Sequence, residues 1–593
     1  MTWYALDCET SGLDFTQDRI LSFAYYTQRG KGCLFEEDKI KKWLQEHQTD
    51  NFVFHSGKFD VKFLNKMADF PVRIAWDTLV AESLLPDRPE SLALEEVAGK
   101  ELGVPKWKDK EMYKKGMAAA SRESLKTLNL LDVEYTYKIF KVQINKLKES
   151  GVLKFFLESN LGLSSVNFLT QMEERGIGLD YEKMQTAWKE NLKEHETLVE
   201  RLYTKYHPIV SEYETAQAAK HPLDTARIKK PEFLQKRLEA HARKYRFNFG
   251  SPKQVLWLLR DKLNFPCKNL DGKDSTDQNV LEFYRDQHEI INALLELRAN
   301  EHISGSFYKN WDKYYRSGRL HPSYHLDITK TFRLSCSEPA LQQVPRGSSF
   351  REMFVPKLGY MLVVVDYSQI EPRLIAHYSG DPVLCQIFRE GYDLYEYVAR
   401  EILKYTGTSE DFRFKHKDIR AVAKEIALSS FYGIGPEKFA YRLRLKTGKT
   451  TTTGEAKRYL NDYFDMLKGV VEFRKYLAQR LQENPCFKTV FGRTLFFKPH
   501  EFVHLAFNKL IQCTGSDINL YSQIDLDKYF KFDKVDARCI HLVHDEALFE
   551  FKNAPEEQVT QAIEYIMAVR YKQLISVPIK VEIKIGENWG CKG

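Results

Sequence analysis

Short apolar runs and helical patterns alternate over roughly the first 145 residues. Residues 3–6, 20–25 and 52–54 are brief, aromatic-rich apolar runs that predict strands. Residues 91–102 and 121–147 repeat their apolar positions with helical periodicity, and each opens on a serine (Ser91, Ser121) suited to cap a helix. This stretch reads as an α/β block. From about 150 to 320 the pattern turns long, charged and helical, and Ser251-Pro252 reads as an N-cap with proline at the first helical position. Periodicity weakens between 205 and 245, where KHPLDTARIKKPEF predicts an exposed loop or accessory segment. Residues 361–365 form a β run that ends at Asp366 and passes into a helical pattern, and mostly helical text follows to about 500. Residues 539–543 and 547–551 then read as two strands around a tight turn at Asp545, with a third strand at 579–585.

A chain of 593 residues exceeds what one hydrophobic core serves, so two or more domains are expected. Hydrophobic residues at 43% and charged residues at 29% are ordinary for globular proteins and exclude a disordered one. The net charge of +7 fits a nucleic-acid partner but also many unrelated enzymes. Nine scattered cysteines without a C-x-x-C pair argue against a disulfide framework or zinc ribbon and for a reducing compartment. No run approaches the length and apolarity of a membrane span, and MTWYALDCET lacks a signal peptide's basic start, so a cytoplasmic enzyme is expected.

The candidate chemistry lies in acids beside apolar runs. Asp366 closes a run of aliphatic residues, and Asp545 and Glu546 sit in the turn between two apolar strands. Such acids are costly unless paired or metal-bound, although strand-end turn acids are also commonplace. Arg420, Lys424, Leu428 and Tyr432 recur in steps of four and share a slowly rotating helix face. Two cations one turn apart can grip a polyphosphate while the ring packs on a base or sugar; the alternative is a solvated basic face. Asp7-x-Glu9 places two carboxylates on one side of a strand, whereas Asp60 and Asp132 are too distant for spacing alone to assign them.

Beyond this point a resemblance is specific. DYSQIEPRLIAH (366–377), RAVAKEIALSSFYG (420–433) and HLVHDEALFEF (541–551) resemble motifs A, B and C of the family A DNA polymerases. TKTFRLS (329–335) with LQQVP, FGR (491–493), NKLIQCTGSDI (508–518) and KVEIKIGENWG (580–590) resemble further stretches of the same family, in family order. The resemblance implies two-metal phosphoryl transfer, with Asp366 and Asp545 holding two Mg²⁺ about 3.5–4 Å apart and Mn²⁺ able to substitute. It further implies that Glu546 supports the metals, and that Arg420 and Lys424 neutralise the triphosphate. Gln369, Leu428 and Tyr432 would complete the deoxynucleotide pocket, in which Glu371 would exclude a ribose 2′-hydroxyl. Arg333, Gln342, Gln512 and His544 would lie along primer and template, and Arg493 would contact the nucleic-acid backbone. Leu428 stands where the family has Phe or Tyr, which implies poor use of dideoxynucleotides. Phe332 and Cys513 replace usual glycines, and Pro372 follows the gate.

DCETSGL (7–13), HSGKFDVKFL (55–64) and LLDVEYT (130–136), with WDTLVAESLL (76–85) between, resemble the DEDD 3′–5′ exonuclease domain that precedes such polymerases. The resemblance implies that Asp7, Glu9, Asp60 and Asp132 bind two metals and direct water at the terminal phosphodiester. Leu128 stands where that family has a tyrosine and Ser56 where it commonly has Asn, so an active but slower proofreading exonuclease is expected.

The expected architecture is α/β and α+β. A ribonuclease H-like exonuclease domain (1–148) precedes a right-hand polymerase (149–593), with helical thumb at about 149–320, antiparallel β palm at about 321–395 and 500–593, and helical fingers at about 396–499. The chain opens on the exonuclease pattern, and the layout resembles phage replicative polymerases, which implies genome replication in a host bacterial cytoplasm. The implied partners are primer–template DNA, dNTPs and phage proteins such as a helicase-primase and a single-strand-binding protein, with the chain a monomer. A single-subunit RNA polymerase would not be expected to carry Glu371 or an exonuclease domain. A stand-alone exonuclease leaves 150–593 unexplained, and a binding relic is expected to have lost metal carboxylates.

Overall fold

A computed structural model describes residues 1–593 except 109–115, 224–230, 286, 347–348, 499 and 593. The chain divides into two compact units: Met1–Asp180, Tyr314–Leu394 and Phe464–Gly593 form the first, and Tyr181–Lys313 with Tyr395–Tyr463 the second.

The first unit opens with a five-stranded mixed sheet ordered Gly30–Leu34, Ile20–Thr27, Trp3–Thr10, Asn51–Phe54, Ile74–Asp77. The first three strands run antiparallel and the last two join in parallel. The helix Arg122–Glu149 packs across this sheet, with Val133, Tyr137 and Phe140 meeting Phe23, Phe52, Phe54 and Trp76 in one apolar cluster. Ser121 caps this helix as expected, accepting from the Ser124 N–H at 3.1 Å. Ser91 caps nothing: the next helix begins later, at Leu94–Leu102, after Ala93. The strand Trp3–Thr10 also runs longer than its apolar core, so Asp7 and Glu9 lie within it rather than beyond it.

The same unit contains a four-stranded antiparallel sheet ordered Asp536–Val543, Glu546–Lys552, Met361–Tyr367, Val581–Gly586. Residues 362–365 are completely buried because this central strand is covered on both faces, which explains a continuous apolar run where an exposed sheet would alternate. Burial of each of these aliphatic side chains contributes on the order of 1.5–3 kcal/mol. The helix Val503–Phe532 packs on this sheet.

The second unit is helical. Leu198, Leu202, Tyr206 and Val210 of the helix Tyr181–Lys220 pack against Ile290, Ile291, Leu294 and Leu297 of Glu289–His302. This overturns the expected loop at 205–245: the helix continues through Pro208, and a further helix occupies Pro231–Tyr245. Residues 206 and 210 bury apolar side chains in the cluster, which offsets the cost of about 3 kcal/mol that an interior proline imposes. The part at 224–230 lies outside the described residues. Ser251-Pro252 begins the short helix Pro252–Leu256, although the Ser251 side chain makes no capping bond. Helix Lys417–Phe431 buries Val422, Ala423, Ile426 and Ala427. Phe283 stacks on Tyr441 at 5.3 Å and lies under Arg444 at 4.1 Å, tying the two chain segments of the unit together.

Candidate active sites

Strand alternation puts Asp7 and Glu9 on one face of Trp3–Thr10. The helix Arg122–Glu149 lies over that face and delivers Asp132. One carboxylate oxygen from each of the three lies within 4.8 Å of the others. Asp60, on the helix Lys58–Leu64, joins from the side, where its Oδ1 accepts the Cys8 N–H at 2.9 Å. Burial and mutual repulsion shift these acids upward. Asp7 rises through burial and then the charges of Asp60, Asp132 and Glu9. Glu9 is pushed up to about 7 by burial and Asp132, and Asp60 to about 8, mainly by burial. Clustered carboxylates of this kind are stabilised by a divalent cation, and an all-oxygen donor set suits Mg²⁺ or Mn²⁺. The residues present therefore fit such an ion.

Two residues not anticipated from the sequence hold Asp132. The Trp107 indole donates to Oδ1 at 2.6 Å, and the Lys108 ammonium reaches Oδ2 at 2.8 Å. No periodicity marks KWK (106–108), because these residues act from an irregular segment. Leu128, one turn before Asp132, is buried and apolar. Tyr135 packs against Trp107 at 4.5 Å with the rings tilted, and Tyr137 is buried in the core cluster. His55, from the HSGKF segment, bridges Thr78 Oγ1 at 2.8 Å and the Leu92 carbonyl at 2.9 Å.

The second acid pair is set by strand register. Asp366 lies opposite Glu546, and Val543 pairs with Glu546, so His544 and Asp545 form the two-residue connection. His544 takes a left-handed φ of 50° there. Asn519 donates to its carbonyl at 2.9 Å, and the Tyr367 N–H donates to the Asp545 carbonyl at 3.1 Å. Asp366 and Asp545 are thereby brought to the same end of the sheet, and two carboxylates there are chemically suited to a divalent ion. Arg346 Nη2 approaches Asp545 Oδ1 at 3.4 Å. Glu546 is the first residue of its strand rather than part of the turn, and it is completely buried. Its carboxylate is held by Arg351 Nη1 at 3.1 Å and by the Trp589 indole at 2.7 Å, so it is a buttress behind Asp545.

Gln369 enters the helix Ile370–Ser379 with φ 53°, and Glu371 in its first turn is ion-paired with Arg333. Gln342 donates to the Leu542 carbonyl at 3.0 Å, and Gln512 is half-buried on the helix Val503–Phe532. Arg420, Lys424, Leu428 and Tyr432 belong to the second unit. There Lys424 is exposed on the helix opposite its buried face, and Arg420 lies over the Tyr395 ring at 5.3 Å.

Arg493 corrects the sequence expectation. It is buried, bonds Asp517 at 2.8 Å, and lies between the Phe155 and Phe332 rings at 5.1 Å from each. A basic residue in a motif says nothing about burial; Asp517, a helical neighbour in space, captures it. Phe332 has a φ of 55°, the conformation that favours glycine. Its ring is covered by Arg88, Arg493 and Lys509, contacts that offset the backbone strain.

Residues 2–148 match the family described as 3′–5′ exonuclease, and residues 222–591 match DNA polymerase family A. DNA polymerase I of Borreliella burgdorferi is 27% identical over 99% of this chain and 62% of its own length. That of Aquifex aeolicus is 29% identical over 93% of this chain and 89% of its own length. The chain thus spans less than two thirds of the Borreliella relative. The POL domain of Pol1 from M. smegmatis, solved in complex with DNA primer-template and dNTP, shares the fold with a TM-score of 0.79 at 21% identity, covering 100% of this chain and 96% of that one. The class is thus a multidomain α/β protein in which a 3′–5′ exonuclease domain precedes a polymerase domain. The chain belongs to DNA polymerase family A.

Proposed function

We propose that this protein is a DNA-directed DNA polymerase with a 3′–5′ proofreading exonuclease, each centre working with two divalent ions, Mg²⁺ by preference. The observation that carries the reading is the register that brings Asp366 and Asp545 to one sheet end within the family A region. The ions would lower the charge on the triphosphate and activate the primer 3′-hydroxyl. Asp366 and Asp545 would hold the ions, and Glu546 acts as a positioning residue through its bonds to Arg351 and Trp589. By the motifs that carry them, Lys424 and Arg420 are assigned to the incoming triphosphate, and Leu428, Tyr432, Gln369 and Glu371 to the nucleotide. Arg333, Gln342, Gln512 and His544 lie along the duplex. At the exonuclease centre Asp7, Glu9, Asp60 and Asp132 hold the ions, and water adds to the terminal phosphorus.

The region 1–148 is the exonuclease, followed by thumb at 149–320, palm at 321–395 and 500–593, and fingers at 396–499. The substrates are primer–template DNA and dNTPs, held largely through phosphates, so affinity falls as salt rises.

A 5′-labelled primer on a longer template, with Mg²⁺, tests both activities. The primer lengthens with dNTPs and shortens without them. Asp366→Asn removes only the lengthening and Asp7→Ala only the shortening. A wild-type protein that does neither refutes the reading.

A further inference from the structure

A short segment before the helix Arg122–Glu149 is fixed against the exonuclease acids by three independent contacts. Glu95 Oε1 accepts the backbone N–H groups of Trp107 at 2.7 Å and Lys108 at 2.6 Å. The Trp107 ring packs with Leu92, Val97 and Ile139 and against Tyr135. Its indole N–H is spent on Asp132 Oδ1. Lys108 therefore has a placed backbone, and its ammonium meets Asp132 Oδ2 at 2.8 Å.

The Lys108 side chain is 27% exposed and that of Asp132 only 2%, so the lysine reaches solvent from an acid that does not. A DNA end entering this centre brings a negative phosphodiester toward four carboxylates. Among the described residues, Lys108 is a cation whose charge acts on Asp7, Glu9 and Asp132. An ammonium has three donors in flexible array, so it can hold Asp132 and still donate to a phosphate oxygen.

We propose that Lys108 is a substrate-contacting residue of the exonuclease centre, its ammonium donating to a non-bridging oxygen of the terminal phosphodiester while anchored on Asp132. This rests on the exonuclease reading above. In the step it serves, the water oxygen bonds to phosphorus and the P–O3′ bond breaks. One proton leaves the water and one reaches the departing 3′-oxygen, giving a nucleoside 5′-monophosphate and a shortened 3′-hydroxyl end. Lys108 ends the step as it began, still an ammonium. Its contribution is to meet the charge that builds on the phosphate oxygen in the transition state.

The test compares wild type, Lys108→Met, Lys108→Arg and Glu95→Gln as full-length proteins. It measures kcat and KM on single-stranded DNA, primer extension, and Mn²⁺ binding followed by electron paramagnetic resonance. Lys108→Met is expected to lower exonuclease kcat about 10²-fold while retaining Mn²⁺ binding and primer extension. Lys108→Arg recovers part of the loss, and Glu95→Gln, which loosens the segment without removing the ammonium, falls between. Wild-type digestion rates in Lys108→Met overturn the proposal. So does loss of Mn²⁺ binding in step with activity, which assigns Lys108 to scaffolding of the acids. A wild type that binds Mn²⁺ but digests nothing instead overturns the exonuclease reading, and the proposal with it.

Discussion

The indole of Trp589 donates to the carboxylate of Glu546 at 2.7 Å, joining residue 589 to the strand that follows Asp545. Arg351 bonds the same carboxylate and lies over the same indole at 4.2 Å, so three buried groups close on one another. Removing a partner from a buried ion pair leaves an uncompensated charge. Arg351→Ala is expected to cost about 3–5 kcal/mol and Trp589→Phe about 1–3 kcal/mol of stability, read as shifts in a urea unfolding midpoint. Trp589→Phe unchanged in stability would show that the bond to Glu546 contributes nothing.

Arg493 is expected to matter for stability before DNA affinity. Arg493→Ala exposes Asp517 as a lone buried carboxylate and empties the space between two rings, a loss of about 3–5 kcal/mol. Duplex affinity measured below the unfolding transition, at matched salt, should change little. A large affinity loss without destabilisation contradicts the buried placement.

His541 is buried, hydrogen-bonded through Nδ1 to the Tyr324 hydroxyl, and stacked edge-on to Trp589 at 5.2 Å. Burial holds its pKa down, to about 3 from 6.5. Between those values the unfolded chain binds a proton that the folded chain refuses. Stability attributable to His541 is therefore complete above pH 6.5 and is lost progressively as pH falls toward 3. His541→Phe should flatten the fall in unfolding free energy between pH 7 and pH 5 relative to wild type. Parallel slopes for the two proteins would exclude this role.

Glu371 sits in the first helical turn after the acid-bearing strand, paired with Arg333. Glu371→Ala should raise ribonucleotide incorporation about tenfold or more, the equivalent of about 1.4 kcal/mol of lost discrimination. Single-nucleotide extension with matched dNTP and rNTP measures it. Unchanged selectivity would remove Glu371 from the sugar pocket.

A polar cluster that no motif announces links the helix Lys58–Leu64 to Glu173 and Tyr324. Glu173 pairs with Lys58 and, at 2.8 Å, with Lys62, both on the helix that carries Asp60, and it also accepts the Tyr324 N–H at 2.8 Å. Glu173→Ala is expected to cost about 3–5 kcal/mol by leaving two cations poorly compensated. Limited proteolysis should then cut near residue 150 more readily; an unaltered digestion pattern argues against this anchoring.

The sequence by itself determined the elements and the family. The apolar run at 361–365 read as a strand, Ser121 could cap the helix it precedes, and the ordered motifs resembled DNA polymerase family A, to which the chain belongs. Those signals are local or are carried by residue type at fixed spacing. The helix through Pro208 was hidden because tertiary packing by Leu202, Tyr206 and Val210 overrode a local breaker. The partners of the candidate acids were likewise decided only in three dimensions. Trp107 and Lys108 on Asp132, Arg351 and Trp589 on Glu546, and Asp517 on Arg493 are contacts between separate elements. Hydrogen bonds and ion pairs depend on distance and burial, and a linear chain records neither; that is why Arg493 reads as a DNA contact in the sequence and lies as an internal ion pair in the fold.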